Sequence, residues 1–87
     1  DGLPPLPSGI DEERWRREMT GEFNEARRLV EQGYNVLIDD YGLTSESEFF
    51  AVASEHYFQM PHELAEYHPH VFELLKQFYR IDLRAYL

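Results

Sequence analysis

The stretch YGLTSESEFFAVASE, Tyr41–Glu55, decides how this sequence is read. Its first residues close a turn opened by Asp39-Asp40, because Asp and Gly favour turn geometry. Ser45 then stands where a helix would start, and Ser45-x-x-Glu48 has the spacing of a capping box. The apolar run that follows predicts a helix from about Ser45 to Phe58, halted by Pro61. At about 100° per residue, Glu55 and Gln59 fall within about 20° of Glu48, with Val52 about 40° away. Phe50 and Tyr57 lie on the opposite side, about 160–180° round. Glu48, Glu55 and Gln59 thus form a polar stripe that includes Val52, and the periodicity by itself describes an amphipathic helix showing its wet face.

Working outward, the chain reads as helix after helix. Asp11 suits an N-cap, Glu12 and Glu13 suit the positive end of a helix dipole, and Trp15, Met19, Phe23, Ala26, Leu29 and Val30 recur at helical spacing until Gly33. Five arginines alternate with acids on the other faces of this helix, a solvated pattern of i,i+4 pairs. Tyr34–Ile38 (YNVLI) is a brief strand or an extended connector. Pro61 starts a short helix to Glu66, and Pro69 starts a last one to about Arg80. That last helix would bury Phe72, Leu75 and Tyr79, or Val71, Leu74 and Phe78. Its tail, Ile81–Leu87, frays or packs back.

Before the first helix, residues 1–10 (DGLPPLPSGI) hold three of the five prolines and two of the five glycines, which enforces an extended lead-in. Leu3, Leu6 and Ile10 favour its packing along the domain over docking into a partner's groove. The expected architecture is all-α: this lead-in, then one helical domain of three to four helices over residues 11–87.

Composition narrows the function. The chain has 87 residues, 43% of them hydrophobic, and this describes a small globular domain with a thin core. With no cysteine, disulfides and thiolate metal sites are excluded. No apolar run reaches the roughly 18 residues of a membrane span. Net charge is −9, and no Lys or Arg lies between Arg28 and Lys76. That interval holds nine acids and all four histidines, so it repels phosphate backbones and argues against nucleic acid. It suits a divalent cation, a basic partner or a substrate amine, or simply solubility.

No complete catalytic constellation stands in these residues. No two of the four histidines have the i,i+4 spacing of a helical metal pair, and no His-Glu-x-x-His, phosphate loop or nucleophile elbow is present. A Ser45/His56/Asp40 triad could be assembled only by arbitrary choice. His68 and His70 flank Pro69 at a helix start, where such side chains are expected to be exposed, and weak metal binding there is the least favoured reading.

The segment Ile38–Gly42, then EFFAVASE (Glu48–Glu55), Tyr57-Phe58, Pro61, Leu64, His68-Pro69 and FYRID (Phe78–Asp82) resembles the C-terminal part of the Mlc titration factor A family of zinc-dependent peptidases. The resemblance covers nearly the whole chain, including the DGLPPL opening. It implies a bacterial, cytoplasmic aminopeptidase-like hydrolase whose zinc is held by two histidines of a His-Glu-x-x-His helix and by a downstream glutamate. That glutamate corresponds to Glu48, and a tyrosine proposed to assist catalysis corresponds to Tyr41. Glu55 is a candidate to orient a ligand from behind.

The resemblance also implies a peptide substrate and a transcriptional repressor as partner. Because the His-Glu-x-x-His helix is not among these residues and the chain starts Asp1-Gly2-Leu3, the expectation is part of a longer protein. Such a part should be inactive and without zinc when isolated, and should dimerise or otherwise cover the face left by the missing region. The alternative is a non-catalytic, acidic helical module that binds a basic protein surface.

Overall fold

Asp11 ends the lead-in by accepting a hydrogen bond from the Arg14 backbone N–H at 3.1 Å, and α1 (Glu12–Glu31) begins there. The computed structural model describes residues 5–38 and 40–80, with the backbone alone for Asp40 and Tyr41. The expected packing of Leu3 and course of Ile81–Leu87 lie outside the described residues. α1 turns Trp15, Met19, Phe23 and Ala26 inward, and its outer faces carry the predicted pairs Arg14–Glu18, Arg16–Glu12 and Arg17–Glu13. Gly33, at φ +89°, stops it. The Gly33 N–H reaches the Val30 carbonyl and the Tyr34 N–H reaches that of Leu29, a Schellman closure that needs a left-handed residue.

Residues 34–38 form no strand; they are the extended connector, ending in Ile38 with no exposed surface. A 3-10 turn, Asp40–Leu43, leads to Ser45, whose hydroxyl caps α2 (Glu46–Gln59) by accepting from the Glu48 N–H at 3.2 Å. Pro61 and Pro69 sit at the starts of α3 (Pro61–Tyr67) and α4 (Pro69–Tyr79), where a missing N–H costs nothing. The all-α class is as the sequence implied, and among the described residues there is no strand.

α4 is packed more completely than either predicted stripe allowed. Val71, Phe72, Leu74 and Leu75 are all buried, and Phe78 and Tyr79 partly so, because α1, α2 and α3 surround this helix. Trp15 ties α1 to it by donating its indole N–H to the Leu74 carbonyl at 2.8 Å, so its one polar atom is satisfied in the core. Phe50 and Phe78 pack edge-on or tilted against that indole, and Phe23 meets Phe49 edge-on. Of these, Trp15, Phe23 and Phe49 are buried, and each such side chain stabilises the fold by about 1.5–3 kcal/mol. In the lead-in, Leu6 and Ile10 pack against this core. No described helix is long and apolar enough to cross a membrane.

Candidate functional site

Glu48 stands in the first turn of α2, on the side the core does not use. Phe49, its neighbour, is fully buried, and Phe50 fills the gap between Trp15 and Phe78, so the helix cannot rotate about its axis without breaking both contacts. The start of the helix is also fastened to α1, where Thr20 donates to the Glu46 carboxylate at 2.9 Å. Only half of the predicted capping box forms. Ser45 accepts from the Glu48 N–H, but among the described residues nothing pairs with the Glu48 carboxylate. A half-buried carboxylate on a rotationally fixed helix is thus left available.

Glu55 is exposed two turns on, along the same side. Val52 is not part of the polar stripe, contrary to the sequence expectation: it is only 6% exposed. The reason is Gly42. A Cβ added there would stand 2.5 Å from Ile38 Cγ2 and 3.1 Å from Val52 Cβ, so the 3-10 turn lies directly on α2 at Val52. Val52 is one helical turn from Glu48. The backbone that carries Tyr41 is therefore pinned near the start of α2, whereas the Tyr41 side chain lies outside what the structure describes. Gly42 does not have a positive φ, so it is needed for space and not for conformation. Sequence could show it only as a turn glycine.

The histidines depart from expectation. His68 is buried, 8% exposed, because it links α3 to α4 at the point where both turn inward. Its Nε2 has no hydrogen-bond partner, and burial, helped by nearby His56, holds its pKa below the ordinary 6.5. His56 points Nδ1 at the Val52 carbonyl of its own helix at 2.8 Å. His70 is exposed and turns to α1, with Nε2 2.8 Å from Glu18 and Nδ1 3.9 Å from Glu22. No three His, Asp or Glu side chains among the described residues are grouped to hold a metal ion. Among the described residues, the Glu48 carboxylate is an unpaired acceptor on this side of α2.

Among the described residues, cavities are formed away from Glu48 and Glu55. One, of about 490 Å³, lies between the lead-in and the α1 and α4 helices, near Arg14 and Arg80. Another, of about 220 Å³, lies where α1 meets the α3–α4 junction. Neither is lined by Glu48 or Glu55. Sequence reasoning missed the second, because nothing in the spacing of Glu22 and His68 marks them as neighbours across the fold.

Residues 1–80 match the family model described as glucose-regulated metallo-peptidase M90, and the chain belongs to that family. It is similar to the Mlc titration factor A of Edwardsiella ictaluri, at 33% identity over 84 residues, which are 93% of this chain and 31% of that protein. An uncharacterized protein of Synechocystis sp., slr2042, is 30% identical over 82 residues, 94% of this chain and 30% of that one. The chain therefore spans about a third of the length of the curated relatives it matches. No solved structure matches.

Proposed function

We propose that this chain is the C-terminal portion of a zinc-dependent, aminopeptidase-like metallopeptidase, and that Glu48 is its third zinc ligand. The observation that carries this reading is the Glu48 carboxylate itself: half-buried, unpaired among the described residues and aimed by a helix locked through Phe49 and Phe50. A surface glutamate with no task would not need so fixed a helix.

Zinc held by two histidines from outside these residues and by Glu48 would supply a water acidified toward neutrality. Tyr41, on the turn pinned at Val52, is proposed to donate its phenol proton to the developing oxyanion of the substrate carbonyl. Glu55 is proposed to steer a ligand from behind. The isolated chain, with one ligand of three, is proposed to be inactive, and the bacterial cytoplasm is the proposed location. In the intact protein, Tyr41→Phe should keep its metal and lose turnover by about 10²–10³-fold, the scale of one oxyanion donor. Full turnover in Tyr41→Phe would remove that role without touching the Glu48 assignment.

A second reading is favoured by the cation-free interval from Leu29 to Leu75. The Edwardsiella relative is named as a titration factor for Mlc. We infer that the acidic middle of this chain can contact a repressor of that kind. Such binding should weaken with salt and be indifferent to chelators.

A further inference from the structure

Arg27 differs from the other cations of this acidic chain. Every other described Arg or Lys has a carboxylate or carbonyl partner, Arg28 with Glu25 among them. Among the described residues Arg27 has neither; its guanidinium carbon lies 5.5 Å from the centroid of the Phe23 ring, the contact of a cation with an aromatic face. A ring offers no oxygen, so the N–H donors of that guanidinium remain available. Glu31, about one helical turn on, is exposed and likewise without a partner among the described residues. Arg14 and Glu18 have the same order and spacing on the same helix, and they close to 2.7 Å. Arg27 and Glu31 do not pair in this way.

These two unpaired charges border one cavity. It measures about 290 Å³, lies between α1 and the 3-10 turn, and is lined by Arg27, Val30, Glu31 and Leu43. Leu43 is buried and Val30 half-buried, so the apolar part belongs to the body of the fold while both charges stand at exposed positions. Pockets for small ligands run to roughly 300–1,000 Å³, so this one suits a molecule the size of a single amino acid. A plain carboxylate would meet Arg27 and be repelled by Glu31, and a plain amine would face the reverse. A molecule that carries both charges on one carbon, with an aliphatic group beside them, matches all four side chains.

We propose that this cavity binds a free aliphatic α-amino acid, its carboxylate on the Arg27 guanidinium, its ammonium on Glu31 and its side chain over Val30 and Leu43. The planar fork of a guanidinium matches a carboxylate in a bidentate way, and both polar contacts are charge-assisted hydrogen bonds. The site uses neither Glu48, Tyr41 nor Glu55. It goes beyond the metallopeptidase reading and does not depend on it.

The test is a titration of the 87-residue chain with L-leucine at neutral pH, following the Val30 and Leu43 methyl signals by NMR. The expected result is a saturable shift with L-leucine. Glycine, which lacks the side chain, 4-methylvalerate, which lacks the ammonium, and isoamylamine, which lacks the carboxylate, should each bind more weakly. Arg27→Gln and Glu31→Gln should each weaken L-leucine by about threefold to tenfold, the range for a charge-assisted contact near the surface. Both positions are exposed, so either variant serves if the other disturbs the helix. No saturation at tens of millimolar, binding of glycine equal to that of L-leucine, or no loss in both variants would overturn the proposal. Tighter binding of N-acetyl-L-leucine than of L-leucine would also overturn it, and would assign the cavity to the C-terminal end of a peptide.

Discussion

The two sides of α2 differ in what the fold demands of them. On one side, Phe49, Ala53 and Tyr57 are buried without remainder, and Phe50 closes the aromatic cluster with Trp15 and Phe78. Any sequence that builds this core must put apolar groups of fitting size there. On the other side, Glu48, Glu55 and Gln59 stabilise nothing that the described structure needs. The first side fixes the direction of the second. If Glu48 is the ligand proposed above, its direction is set by the two phenylalanines that directly follow it.

That contrast can be broken or sharpened by substitution. The largest loss should come from the core side: Phe49→Ala is expected to destabilise the chain by about 3–5 kcal/mol, read from urea denaturation. Gly42→Ala comes next. Its new methyl would force Ile38 and Val52 apart and should cost about 1–3 kcal/mol, with a larger effect on whatever depends on Tyr41. Removal of the cap in Ser45→Ala should cost about 1 kcal/mol. Glu48→Gln should change the stability of the chain by less than about 0.5 kcal/mol, because its carboxylate has no partner to lose. A large loss there would mean that Glu48 belongs to the fold.

Acid should expose the buried histidine. The folded pKa of His68 is depressed, so the unfolded chain binds its proton more readily. Its contribution to stability is intact above about 6.5 and is lost as pH falls from there through the folded pKa. Glu22, with its pKa raised, acts in the opposite sense above about 4.5. The difference between the wild type and His68→Gln in melting temperature against pH isolates the histidine: the variant should lose the downward slope below 6.5.

The helices were legible in the sequence because their signals are local. Asp11, Ser45, Gly33, Pro61 and Pro69 each state a beginning or an end within a few residues. The all-α class follows from them. What escaped was long-range. Periodicity could not tell that Val52 is roofed by Gly42, or that a histidine beside a proline would be carried inside by two helices meeting at it. Glu48 was legible only as a polar residue on a helix face, since an unpaired carboxylate and a solvated one have the same spacing. The role proposed for Glu48 rests on family resemblance, because geometry alone does not distinguish the two.

The central claim, that Glu48 faces a metal and Glu55 does not, is tested most directly by the zinc content of the intact protein carrying each substitution. Glu48→Gln should purify with its zinc largely lost, and Glu55→Gln should retain it. Full zinc stoichiometry in Glu48→Gln would contradict the account and leave the outer side of α2 as an acidic binding face.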